Sequence, residues 1–85
     1  MKTVTDNTLA DILDNISMGE GDRFAEMFVG GWQPNTMHKM CESFIHKFGA
    51  LKDVKVVGVI EHTEDDMPED GSYFSWKMEN FPDNL

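Results

Sequence analysis

The first half of the chain carries hydrophobic residues at helical spacing. The apolar face of the first predicted helix has four residues at positions i, i+3, i+4 and i+7: Leu9, Ile12, Leu13 and Ile16. Polar residues that can cap a helix come just before this face: Thr5, Asp6 and Asn7. The pattern therefore predicts a helix that runs from about Asn7 to Ser17.

Glycines delimit a second, shorter helix. Gly19 and Gly21 interrupt the first pattern, and Asp22 can then cap a new segment. The hydrophobic residues that share a face of this segment are Phe24, Met27 and Phe28. The pair Gly30-Gly31 predicts its end.

The third helix has the most regular pattern. Its apolar stripe contains Met37, Met40, Cys41, Phe44, Ile45 and Phe48. Its polar face contains His38, Lys39, Glu42, Ser43, His46 and Lys47. Asn35 or Thr36 can cap the start of this helix, and Gly49 can end it. The position of Cys41 on the apolar stripe predicts a buried structural thiol rather than a nucleophile.

A strand pattern replaces the helical one in the last third of the chain. The segment from Val54 to Thr63 is rich in β-branched residues, and apolar and polar residues alternate from Ser72 to Glu79. These two patterns predict two antiparallel strands. The second strand has one face with Phe74, Trp76 and Met78, and another with Tyr73, Ser75, Lys77 and Glu79. Because a two-stranded ribbon is marginal by itself, it must pack on the helices, add residues 2–5 as a third strand, or pair with another chain.

These elements together predict an α+β fold in a single domain that covers residues 1–85. Two or three N-terminal helices precede an antiparallel hairpin or small sheet, which packs on the third helix. A chain of 85 residues is too short for a second core.

Charge adds the strongest functional signal. The net charge is −9, and it is uneven: residues 1–35 carry −4, residues 36–60 carry +2 and residues 61–85 carry −7. The segment 64–71, which joins the two predicted strands and which we name the acidic loop, contains five acids: Glu64, Asp65, Asp66, Glu69 and Asp70. Charge of this kind favours a basic protein partner and disfavours direct binding to nucleic acid.

Other chemistry is not indicated by the sequence. The acidic loop lacks the ligand spacing of an EF-hand. His38, Glu42 and His46 are expected to be polar surface residues with i,i+4 contacts, since a metal site would need further ligands such as His62 to converge and nothing in the sequence fixes that geometry. We expect no catalytic residue, no metal and no cofactor. The single cysteine, the polar N-terminus and the lack of a long apolar stretch predict a cytoplasmic protein without a membrane span.

We therefore expect a non-catalytic binding protein that inhibits or modulates a partner, for example a nucleic-acid-processing enzyme whose basic groove it fills as a DNA mimic. The expected contacts are the five loop acids, Asp11 and Asp14 on the first helix, and Trp32 and Tyr73 as aromatic anchors. Inhibitors of this type are common in phages and mobile elements. Two other interpretations stay open: the loop is a solvated hairpin connection, or the protein is a homodimeric adaptor subunit that associates through a strand edge or apolar patch.

Overall fold

A computed structural model of the chain describes residues 1–27 and 34–84, without the side chains of Pro34 and Asn35. Strand β1 (Lys2–Thr5) comes first and is followed by three helices: α1 (Asp6–Ile16), α2 (Glu20–Met27) and α3 (Pro34–Ile45). Two strands complete the fold: β2 (Lys55–Glu61) and β3 (Phe74–Glu79). Short 3₁₀ turns lie at Gly49–Leu51 and Glu64–Asp66. The predicted α+β class is confirmed.

The three strands form one antiparallel sheet in the order β1-β3-β2. Residues 2–5 thus supply the third strand, which is one of the three ways predicted to stabilise the ribbon. A bulge interrupts β2 between Val56 and Gly58. Because the bulge adds one residue, Val56 and Val59 lie opposite Met78 and Trp76 and share the core face of the sheet, although they are three positions apart.

The core lies between the helices and one face of the sheet. Its buried residues include Leu9 and Leu13 from α1, Phe24 from α2, Met37, Cys41 and Ile45 from α3, and Val4, Val56, Trp76 and Met78 from the strands. Trp76 occupies the central strand, and its ring meets that of Phe24 edge-on, with centroids 5.9 Å apart. The predicted apolar face of the last strand is therefore the one that packs on the helices.

The predicted cap of the second helix is wrong. The helix begins at Glu20, two residues before Asp22, and the backbone N–H of Gly21 donates a hydrogen bond of 2.8 Å to Oδ1 of Asp14. A Cβ atom at position 21 would lie 2.6 Å from Oδ2 of Asp14 and still closer to the carbonyl oxygen of Ala10. A side chain of α1 thus caps α2, and only a residue without a Cβ permits this close approach. Phe28, Gly30 and Gly31 lie outside the described residues.

The third helix begins and ends earlier than predicted. Pro34 is its first residue, so the two predicted caps, Asn35 and Thr36, lie inside it. Proline suits this position because the first N–H of a helix has no partner within the helix. At the other end, Ile45 is the last helical residue, and its carbonyl accepts a hydrogen bond of 3.1 Å from the N–H of Phe48. This tight turn keeps Phe48 buried although the helix has ended.

Candidate functional site

The acidic loop lies at one end of the sheet, where it joins β2 to β3. Two turns order its backbone: Asp66 N–H donates to the carbonyl of Thr63, and Gly71 N–H donates to that of Pro68, both at 3.0 Å. Gly71 has a φ of 76°, a left-handed conformation that favours glycine. All five acids of the loop are exposed on these turns: Glu64, Asp65, Asp66, Glu69 and Asp70. The loop is therefore an ordered platform for carboxylates.

Asp70, the fifth acid, ties the loop to the start of α1. Its Oδ2 accepts a hydrogen bond of 2.7 Å from Thr5 Oγ1, and its Oδ1 accepts one of 3.0 Å from the backbone N–H of Ser72. The side-chain amide of Asn7 donates to its backbone carbonyl. The hydrogen bond from Thr5, helped by that from Ser72, lowers the pKa of Asp70. Its carboxylate thus has an architectural role that the charge pattern did not indicate.

Thr5 confirms one of the predicted caps and links it to the loop. Its Oγ1 accepts a hydrogen bond of 3.3 Å from the N–H of Thr8, so it is the N-cap of α1. The same hydroxyl donates to Asp70, and the N–H of Asn7 donates to Ser72 Oγ at 3.1 Å. Hydrogen bonds therefore hold the N-terminus of α1 and the end of the acidic loop together, and each of the two segments contributes side chains to them.

A second carboxylate, that of Asp6, lies at the same junction but is half-buried. Its Oδ1 accepts a hydrogen bond of 2.6 Å from the indole N–H of Trp76. Burial raises the pKa of Asp6, as does the charge of Asp70, while the hydrogen bond from Trp76 opposes this shift. The sequence pattern predicts Asp6 only as a possible cap. A buried tryptophan requires an acceptor for its N–H, and this requirement is the signal that could have indicated the role of Asp6.

His62 covers the outer face of the sheet beside the loop. Its Nε2 lies 2.6 Å from Oγ of Ser75, and its Nδ1 lies 3.9 Å from Oδ2 of Asp66. Ser75 was predicted to face away from the core, and it does so, yet the residue is only 4% exposed. His62, whose side chain is 12% exposed, shields it.

A hydroxyl, an imidazole and a carboxylate, the groups of a catalytic triad, follow one another in Ser75, His62 and Asp66. Their geometry, however, does not suit catalysis. The distance from Asp66 to His62 exceeds hydrogen-bond range. Ser75 lies in the central strand, which pairs with β1 on one side and β2 on the other, so the strand amides point at neighbouring strands rather than at a substrate oxygen. We interpret the contact between Ser75 and His62 as a structural hydrogen bond.

The two predicted acids of the first helix lie apart from the loop. Asp14 is eight residues beyond Asp6, which corresponds to about 12 Å along a helix. Its carboxylate accepts the N–H of Gly21, so part of its hydrogen-bonding capacity serves the fold. Asp11 is exposed one turn closer to the loop. Of the two, Asp11 is the one whose charge extends the negative surface from the loop along α1.

Of the two predicted aromatic anchors, the structure describes one. Tyr73 directly precedes β3, and its ring is largely in solvent, since the residue is 66% exposed. Its carbonyl accepts a hydrogen bond of 2.8 Å from the N–H of His62, which fixes the backbone of Tyr73 beside the acidic loop. Trp32 lies outside the described residues.

Glu42 and His46 contact the backbone at the start of β2, which their spacing on the polar face of α3 did not predict. Oε2 of Glu42 accepts a hydrogen bond of 2.9 Å from the N–H of Val56. Nε2 of His46 lies 2.6 Å from the carbonyl oxygen of Val54, to which it donates. Because β2 is an edge strand of the sheet, these two side chains occupy backbone groups that another strand would otherwise reach.

Charge differs between the two ends of the sheet. The segment from residue 61 to residue 76, at the loop end, contains no lysine or arginine. The opposite end, where Lys2 pairs with Met78 and Lys55 pairs with Glu79, mixes both signs. Its acids are Asp53, Glu79 and Asp83, and its bases are Lys2, Lys52 and Lys55. Unneutralised negative charge is therefore concentrated at the loop end.

Other types of site receive little support within residues 1–27 and 34–84. No three His, Cys, Asp or Glu side chains of these residues converge where a metal ion could be held. The thiol of Cys41 is fully buried, as predicted, and burial raises its pKa far above the ordinary value. No helix in this part of the chain combines the length and hydrophobicity needed to cross a membrane.

Comparison with known proteins finds no relative of the chain. No family model, no curated protein and no solved structure matches it. The function must therefore be inferred from the geometry of the chain itself.

Proposed function

We propose that the protein is a non-catalytic binding protein that inhibits or modulates a partner with a basic surface, such as a nucleic-acid-processing enzyme. The observation that carries the proposal is the set of exposed carboxylates on the ordered acidic loop, four of them besides that of Asp70, in a segment without lysine or arginine. Negative charge concentrated in this way attracts basic surfaces and repels phosphate backbones. The protein would then compete with nucleic acid for the same groove.

The hydrogen bonds of Asp70 support this proposal. They attach the acidic loop to α1 through Thr5 and Asn7, so the loop does not have to be ordered when a partner binds. A surface that is already ordered loses less conformational entropy on association. Glu64, Asp65, Asp66 and Glu69 then present the charge, Tyr73 offers an aromatic anchor, and Asp11 extends the surface. The same proposal gives the protein a cytoplasmic location and an origin in a phage or mobile element.

A matched pair of variants tests the proposal. The loop variant combines E64Q, D65N and E69Q, and the control combines D53N, E79Q and D83N at the opposite end of the sheet. Both remove three negative charges, and neither touches Asp70. Affinity capture from a host lysate with the unmodified protein identifies candidate partners. Purified nucleases, polymerases and repair enzymes are then tested, and the assay measures whether the protein displaces DNA from them.

We expect the loop variant to bind at least about tenfold more weakly, which corresponds to about 1.4 kcal/mol, and the control to change little. Raising the salt concentration from 50 to 200 mM should weaken binding of the unmodified protein steeply, since exposed charges are screened over about 8 Å at physiological salt. Equal losses in both variants, or binding that does not respond to salt, would contradict the proposal.

The competing hypothesis, a homodimeric adaptor subunit, makes different predictions. Glu42 and His46 occupy the start of the β2 edge, and the bulge at Val57 interrupts the strand, so a second copy could not pair along the full length of β2. Sedimentation at rising protein concentration separates the two hypotheses. A salt-resistant dimer that forms equally well in the loop variant would favour the adaptor.

A further inference from the structure

His62 contains a buried nitrogen that lacks a hydrogen-bond partner. Among the described residues, Nδ1 of His62 is the buried side-chain nitrogen or oxygen for which no partner is present. The other ring nitrogen, Nε2, lies 2.6 Å from Oγ of Ser75. Buried polar atoms are almost always paired, so this exception calls for an explanation.

The explanation lies in the two protonation states of the ring. A neutral imidazole has one N–H. When Nε2 donates to Ser75, Nδ1 directs a lone pair towards the carboxylate of Asp66, which also offers only lone pairs. A second proton turns both ring nitrogens into donors, and Nδ1 can then donate to Asp66. Asp66 Oδ2 is 3.9 Å away, so a shift of about 1 Å completes a normal charge-assisted hydrogen bond.

The surroundings of His62 permit this shift. The side chain of Asp66 is 84% exposed and lies in a surface turn, so its movement disturbs no core contact. A second acid, Asp6 at the start of α1, interacts electrostatically with His62. Ser75 on β3 offers a hydroxyl that can accept from the ring as well as donate to it.

We propose that His62 is an acid-sensitive latch on the acidic loop. When the ring takes up its second proton, Asp66 closes on Nδ1, the turn at Glu64–Asp66 tightens, and one carboxylate is withdrawn from the surface that meets the partner. The consequence for binding rests on the proposed function: a basic partner is held less tightly when the ring of His62 is charged.

The free protein provides the first test. Nuclear magnetic resonance follows the ring of His62 and the backbone amides of residues 64–66 from pH 8 to pH 5. We expect the amide shifts to follow the same midpoint as the ring. D66N should move that midpoint to lower pH, because it removes the negative charge that lies 3.9 Å from Nδ1. D65N is the matched control, since it removes the same charge from the same turn, and we expect it to move the midpoint less than half as far.

Two results would overturn the latch. One is a titration of His62 that leaves the amides of the turn unchanged. The other is an equal shift of the midpoint in D65N and D66N, which would indicate the general field of the loop rather than a specific contact.

The failure of the latch and the failure of the proposed function are distinguishable. The titration needs no partner, so a negative result there leaves the loop variant of the binding test to decide the function. With a partner in hand, lowering the pH from 7.5 to 5.5 should weaken binding of the unmodified protein about threefold more than binding of H62Q, which cannot take up the proton. An identical pH dependence of the two proteins would refute the regulatory role even if the loop binds the partner.

Discussion

The indole N–H of Trp76 donates a hydrogen bond of 2.6 Å to Oδ1 of Asp6, joining the central strand to the first residue of α1. Trp76 is fully buried, so no solvent can replace this acceptor. The neighbouring residue, Thr5, ends β1 and binds the acidic loop through Asp70. The core and the candidate binding surface are therefore connected at two consecutive residues of the chain.

Removal of the Asp6 acceptor should destabilise the fold. D6A removes the carboxylate that accepts the buried N–H of Trp76, and we expect the free energy of unfolding to fall by about 1–3 kcal/mol. D6N retains an oxygen of the same shape and should lose less. Urea denaturation at pH 7 measures both, with D11A as the control, because Asp11 is an exposed acid of the same helix. A loss in D6A no larger than that in D11A would show that the hydrogen bond contributes little.

The stability of the protein should respond to acid in a way that Asp70 controls. The hydrogen bonds from Thr5 and Ser72 lower the pKa of Asp70 below its ordinary value of 3.8. Its contribution to stability is therefore present above that value and is lost as the pH falls through the lower pKa of the folded state. We expect D70N to lose less stability than the unmodified protein below about pH 4. Urea unfolding between pH 2.5 and pH 7 checks this, and parallel curves for the two proteins would contradict it.

Asp6 should show the opposite dependence on pH. Burial raises its pKa above the ordinary value of 3.8, so its contribution is full below that value and is lost as the pH rises through the raised pKa of the folded state. D6N has no proton to lose at this position. Its stability relative to the unmodified protein should therefore increase as the pH rises from about 3 towards neutrality. The same series of urea measurements tests this, and a constant difference between the two proteins would show that the pKa of Asp6 is not raised.

The parts of the structure that follow from local periodicity could be predicted from the sequence, and those that depend on distant contacts could not. The apolar faces of α1 and β3 were evident because their spacing matches the period of a helix and of a strand. The cap of α2 could not be predicted in this way, because its hydrogen-bond acceptor is Asp14 on another helix. The same reason explains the site: charge composition identified the acidic loop, but the anchoring of Asp70 and the burial of His62 depend on residues more than ten positions away.

Gly21 should tolerate no side chain, although it lies in a helix. Alanine normally stabilises a helix by about 1 kcal/mol relative to glycine. At position 21, however, the added Cβ would clash with the carbonyl of Ala10 and lie 2.6 Å from Oδ2 of Asp14. We therefore expect G21A to lower the free energy of unfolding by about 1–3 kcal/mol. The control is G49A, where a Cβ meets nothing within 4 Å and the expected change is about 0.5 kcal/mol or less. Thermal unfolding compares them, and a G21A protein as stable as G49A would show that α1 and α2 can separate without cost.

The side chain of Glu42 should keep the edge of β2 from pairing with other molecules. Its carboxylate accepts the N–H of Val56, so E42A leaves a backbone donor free on an edge strand. We expect a loss of about 1–2 kcal/mol in the free energy of unfolding and self-association that increases with protein concentration. E26A is the matched control, because Glu26 is an exposed acid on α2 and its removal changes the net charge equally. Urea denaturation and sedimentation velocity give the two measurements. If E42A stays monomeric and as stable as E26A, the contact with Val56 does not protect the edge. The bulge at Val57 must then be enough to keep β2 from pairing with other molecules.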